Sequence, residues 1–171
     1  LSPPRQKERK YMPSLKQIAA PVGALLQERK QTVSVSESAA GGLISAALLA
    51  VPGASAYFVG GSSVYTQTAR RGILRFNDAK AAMRGSTEEY ATLTAMGIRE
   101  ILDTDWAIGE SGAAGPAGNR YGDPAGHVAL AVVGPVTATR LFETGNEDRE
   151  DNMWSFAIAG LDLLHETVKA N

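Results

Sequence analysis

The sequence predicts an α/β fold, three layers α/β/α around a mixed sheet of about five strands, and three observations predict it. Short stretches rich in β-branched residues alternate with stretches of helical apolar spacing, the last two strand-like stretches are separated only by Gly134-Pro135, and the chain closes on a long amphipathic stretch. At 171 residues the chain has the length of one domain. Residues 14–171 are read as that domain, and residues 1–13 as a leader without regular structure, basic but with no apolar run behind it.

Taken in order, Leu15, Ile18, Ala19, Val22, Leu25 and Leu26 recur at helical spacing over 14–30, with Pro21 expected to kink the helix or delay its start. Residues 31–37 alternate β-branched and polar side chains and predict a strand. The small residues Ser38 to Gly42 then turn into an apolar helix ended by Pro52-Gly53. A second strand follows over 57–66, its Gly60-Gly61 pair marking a bulge or close backbone approach, and then a short helix over 67–75. Ser86-Thr87 ahead of Glu88-Glu89 signals a helix running to Leu102, and 106–110 reads as a third strand. Glycine, proline, asparagine and aspartate are so dense over 111–126 that a loop is expected throughout. Strands over 127–133 and 136–144 form a hairpin, and residues 148–169 close the chain as a helix with Trp154, Ile158, Leu161, Leu164 and Val168 on one face.

Composition narrows the function. Hydrophobic residues make up 44% and charged residues 20%, with net charge −1, and the basic residues are scattered rather than gathered into a stripe, which argues against nucleic acid as a partner. No apolar run has the roughly 20 residues needed to span a bilayer, so no membrane partner is expected. With no cysteine and only two histidines, His127 and His165, thiolate chemistry is excluded and no metal site is expected.

In sheets of this kind ligands sit where strands end and loops begin, which selects the turn at Ser38 and the segment after Glu110. Ser38, at a strand-to-helix turn with Gly41 and Gly42, reads either as a helix N-cap or as a nucleophile beside free N–H groups. The run Gly109 to Pro116, with Ser111, Gly112, Ala114 and Gly115, reads either as a surface loop or as an anion-holding nest. Tyr65 and Arg70 lie about one helical turn apart at the end of the second strand and Arg149 in the first turn of the last helix, where a solvated helix start is the plainer reading.

Together these segments resemble the C-terminal domain of the CinA (competence/damage-inducible) family, which includes nicotinamide mononucleotide deamidase. The resemblance runs from about Val33 to the end and is carried by Ser36-Glu37-Ser38-Ala39-Ala40-Gly41-Gly42, by Pro52 to Tyr65, by Gly109 to Pro116 and by Pro124-Ala125-Gly126-His127-Val128. It implies a serine amidohydrolase that converts nicotinamide mononucleotide to nicotinate mononucleotide and ammonia, without cofactor, in a cytoplasmic homo-oligomer. By that resemblance Ser38 is the nucleophile, Gly41, Gly42 and the loop from Ser111 to Gly115 hold an oxyanion or phosphate, and Tyr65 and Arg149 line the site. The family's general-base lysine falls on Arg70, which cannot give up its proton. Its Cys-Thr pair falls on Ala39-Ala40, its loop threonine on Ser111 and its second helix arginine near Met153. Lys80 and His127 are the other bases the sequence offers. The alternative is a silent family member that keeps the pocket and binds a nucleotide-like ligand.

Overall fold

A computed structural model describes residues 12–171 and shows a mixed five-stranded sheet between two helical layers. The leader expected at the start lies, up to residue 11, outside the described residues. The elements are α1 (Leu15–Arg29), β1 (Val33–Glu37), α2 (Leu43–Leu49), a 3-10 turn (Ala54–Ala56), β2 (Phe58–Ser63), α3 (Gln67–Gly72), α4 (Asp78–Ala81), α5 (Glu88–Leu102), β3 (Trp106–Ala113), β4 (His127–Val133), β5 (Thr137–Glu143) and α6 (Arg149–Ala170). The strand order is β2-β1-β3-β4-β5; β1 runs parallel to β2 and β3, and β3-β4-β5 is an antiparallel meander.

Period-2 alternation decides which layer each side chain meets. Val33 and Val35 of β1, Trp106 and Ile108 of β3, and Val128, Leu130 and Val132 of β4 pack on one face against α1, α2 and α6. The opposite face is cut back to Ala107, Gly109, Ala129 and Ala131, and α5 lies close against it through Ala91 and Ala95. Gly109 sets that approach, because a Cβ built there would stand 1.9 Å from the Ala91 carbonyl oxygen. We expect Gly109→Ala to destabilise the fold by about 2 kcal/mol, since helix backbone cannot step aside. A thermal unfolding midpoint lowered by about 4–8 °C would show it, and an unchanged midpoint would refute the close contact.

Two expectations need correction. β3 continues to Ala113, so Ser111 and Gly112 lie in a strand rather than a loop, paired with Ala129 and Val128 of β4. Glycine permits this, because a Cβ on Gly112 would come within 2.6 Å of the His127 carbonyl oxygen. Pro21 lies inside α1 and does not delay its start, which is at Leu15; it is exposed, so water can serve the carbonyl its ring leaves unpaired. The short helix α4, capped by the Asn77 side chain on the Lys80 N–H, has too few residues to show a period in the sequence.

Candidate functional site

β1 and β3 are adjacent and parallel, so the turn at Ser38 and the end of β3 emerge side by side at one edge of the sheet. There the α5 side opens into a cleft of about 470 Å³ lined by Ser38, Tyr65, Arg70, Ser111 and Gly112, which the sequence singled out, and by Asn119, Arg120 and Tyr121, which it did not. Ser38 and Ser111 thus share one site. Ser38 is half-buried, and its hydroxyl makes no hydrogen bond within the described residues. The Ser111 hydroxyl accepts the Ser86 N–H at 3.0 Å, which ties the segment before α5 to the cleft.

The turn after Ser38 is built differently from the sequence reading. The N-cap of α2 is Gly42 at φ 103, not Ser38, and it offers no capping side chain. Glu37, buried at the end of β1, caps the helix instead: its carboxylate accepts the Ile44 and Ser45 N–H groups at 3.1 and 3.0 Å and the Ser45 hydroxyl at 2.7 Å. Glu110, 2% exposed beneath the same turn, accepts the Ser38 and Ala40 N–H groups at 2.8 and 2.9 Å through Oε2, while its Oε1 is buried without a partner. At this turn the N–H groups of Ser38, Ala40, Ile44 and Ser45 are therefore occupied by carboxylates, and that of Gly41 by the Ser38 carbonyl. Gly41 and Gly42 do not line the cleft, and a Cβ on Gly41 would meet the Met153 methyl at 2.7 Å. Ala39 and Ala40 are buried in the core and bring no polar group to the site.

Arg70 projects from α3 into the cleft with its guanidinium stacked on the Tyr90 ring, 4.3 Å from the centroid. Its Nη1 donates to the Ala81 and Met83 carbonyls, both at 2.9 Å, so the cation also ties down the segment after α4. Tyr65 is 60% exposed at the rim. Arg149, in the first turn of α6, donates to the Tyr65 hydroxyl at 3.1 Å and to the Gly115 carbonyl, which joins the Gly115 loop to the cleft. Ala114 and Gly115 themselves do not line the cleft. Buried Asn152 holds Ala114, donating to the Ala114 and Asn146 carbonyls at 2.7 Å each.

Neither Lys80 nor His127 lines the cleft. Lys80 is exposed on α4, with its ammonium 5.9 Å from the Phe76 centroid. Both His127 ring nitrogens are engaged, Nδ1 with Glu143 at 2.9 Å and Nε2 with the Ser86 carbonyl at 3.0 Å. Burial alone would lower its pKa, but those bonds and the nearby Asp123 charge outweigh it and raise the imidazole above its ordinary value. His127 is thereby a clamp on Ser86 that favours the protonated ring. Tyr121 moves the other way: burial would raise it, but Arg120 at its hydroxyl and the charge of Arg70 lower the phenol. The cleft-lining residues include no lysine, histidine or carboxylate.

Comparison with known proteins agrees with this fold. A sequence model of the CinA C-terminal domain matches residues 15–168. A CinA-like protein of Parasynechococcus marenigrum is 43% identical over 119 residues, covering 69% of this chain and 28% of that protein. Another, from a Picosynechococcus species, is 33% identical over 154 residues, covering 88% of this chain and 37% of that protein. The chain thus spans about a third of the length of these curated relatives. The crystal structure of a CinA superfamily protein from Klebsiella pneumoniae 700603 is similar at a TM-score of 0.85 with 25% identity, covering 93% of this chain and 100% of that one. The competence damage-inducible protein A from Klebsiella pneumoniae MGH 78578 is similar at a TM-score of 0.84 with 27% identity, covering 92% and 98%. No helix among the described residues is long and apolar enough to cross a membrane.

Proposed function

The chain belongs to the CinA C-terminal domain family, and from that premise we propose that it is a nicotinamide mononucleotide deamidase-like amidohydrolase with Ser38 as nucleophile. The observation that carries the reading is the convergence of a half-buried, uncommitted serine hydroxyl with a cation, Arg70, and the hydroxyls of Tyr65 and Ser111 in one cleft. In the reaction the Ser38 oxygen bonds to the amide carbonyl carbon, ammonia departs with the proton the hydroxyl gives up, and water cleaves the resulting ester to release the carboxylate product. Arg70 and Arg120 supply positive charge for the substrate phosphate, and Arg149 steadies Tyr65 at the rim. The work is proposed for a homo-oligomer in the cytoplasm, following the family resemblance.

Among the described residues that line it, the cleft has no lysine, histidine or carboxylate to accept a proton. A guanidinium stays protonated, and Arg70 is in addition bonded to two carbonyls, so water must take the serine proton and turnover is slow. That same observation favours a second reading, in which the cleft binds a nucleotide-like amide and does not convert it. Titration calorimetry with nicotinamide mononucleotide, with products followed by proton NMR, separates the two. Binding accompanied by nicotinate mononucleotide supports the amidohydrolase, binding without product supports the silent reader, and absence of binding by both wild type and Ser38→Ala defeats both.

A further inference from the structure

The turn that carries Ser38 rests on two buried acids, of which only Glu37 has both oxygens satisfied. Glu110 stands on the same face of β3 as Trp106 and Ile108, so it points into the layer beneath the turn rather than into the cleft. Within the turn, the Gly41 N–H reaches the Ser38 carbonyl and the Leu43 N–H the Ala40 carbonyl, but the N–H groups of Ser38 and Ala40 have Glu110 Oε2 as their acceptor. One oxygen thus fixes the backbone on the nucleophile itself and two residues beyond it. The other oxygen has no partner.

We infer that Glu110 is the positioning residue of the Ser38 turn: its buried carboxyl grips the Ser38 and Ala40 N–H groups from beneath, sets the direction in which the serine hydroxyl enters the cleft, and changes that grip with its protonation state. The inference rests on the reading of Ser38 as nucleophile. A carboxylate accepts backbone N–H groups more strongly than the neutral acid, because charge-assisted hydrogen bonds are shorter and stronger. Desolvation pushes Glu110 up to about 7 against the opposing pull of the Ala40 and Ser38 N–H groups, and the Glu37 charge adds to the rise. Of the charged groups on the packed elements, Glu37 of β1 is the one that acts on it; β4 presents Val128 and Leu130 on that face, and α6 presents Phe156 and Ala157. The grip therefore changes close to neutrality. A serine misplaced by a fraction of an ångström loses rate far more than binding, since attack geometry and not substrate affinity depends on it.

The test has two arms, the first independent of turnover. In uniformly 15N-labelled protein, the Ser38 and Ala40 amide resonances should titrate together with a midpoint near 7, and Glu110→Gln should hold them constant with pH. In the second arm, ammonia release from nicotinamide mononucleotide is followed between about pH 5.5 and 8.5. Glu110→Ala should lower kcat about 10–100-fold with KM nearly unchanged, while Glu110→Gln, whose amide oxygen can still accept both N–H groups, should restore most of the rate and remove the inflection near neutrality. Wild-type Ser38 and Ala40 amides that ignore pH across that window overturn the inference, as does a Glu110→Ala protein that keeps its kcat. If wild type shows no turnover, the amidohydrolase reading fails, and the resonances still decide the role of Glu110. If Glu110→Ala does not fold, Glu110→Gln and the wild-type titration decide it.

Discussion

Replacing Arg70 with lysine is expected to raise ammonia release from nicotinamide mononucleotide by about 10²–10⁴-fold, the usual worth of a general base where none stood before. Arg70 lines the cleft with Ser38, so a lysine there places an amine on the same side of the nucleophile. Arg120, in the same cleft, favours loss of the ammonium proton by like charge, whereas the face of the Tyr90 ring attracts the cation and opposes that loss. The substitution gives up the Nη1 bonds to the Ala81 and Met83 carbonyls, which should cost about 1–2 kcal/mol of stability. Initial rates of wild type and Arg70→Lys, each confirmed folded by its melting curve, check this. A rate lowered by the lysine would make Arg70 itself a working part of the site, and a silent variant that still binds would favour the binding-only reading.

Folding stability should fall as pH rises from about 4.5 to about 7, by about 3 kcal/mol from Glu110 alone. The sign follows from the raised pKa: in that window the native protein keeps a proton on Glu110 that the unfolded chain has already lost, so alkali favours unfolding. His127 adds a smaller loss in the same direction, because its stabilising charge disappears as pH passes above its raised pKa. Glu110→Gln has no carboxyl to titrate and should remove the larger part of the slope. Urea unfolding of wild type and Glu110→Gln at pH values across the window would measure it, and parallel stability curves for the two proteins would contradict it.

The fold was legible because its signals are local and repeated. Alternation gave β1, helical spacing gave α1, α5 and α6, and the strand-like stretches on either side of Gly134-Pro135 gave the β4-β5 hairpin, in which Val133 does pair with Thr137. The end of β3 was not, because Ser111 and Gly112 carry loop propensity and only their partners on β4 make them a strand. Of the cleft, Ser38, Tyr65, Arg70, Ser111 and Gly112 could be found from sequence, whereas Arg120 and Tyr121 sit in a glycine-rich loop whose path no period reveals. Glu110 left one usable trace. It occupies an inward position two residues beyond Ile108 and four beyond Trp106, where a charge calls for a buried partner, but nothing in the sequence says that the partner is the backbone of Ser38. The engagement of Arg70 depends on carbonyls at the end of α4, an element too short to foresee.

Ammonia release from nicotinamide mononucleotide by purified protein, run beside Ser38→Ala, tests the central claim most directly. The account predicts slow release by wild type, a matching yield of nicotinate mononucleotide, and none of either from Ser38→Ala in the wild-type or the Arg70→Lys background. Equal release by wild type and Ser38→Ala, or no release even from Arg70→Lys that binds the nucleotide, would contradict it.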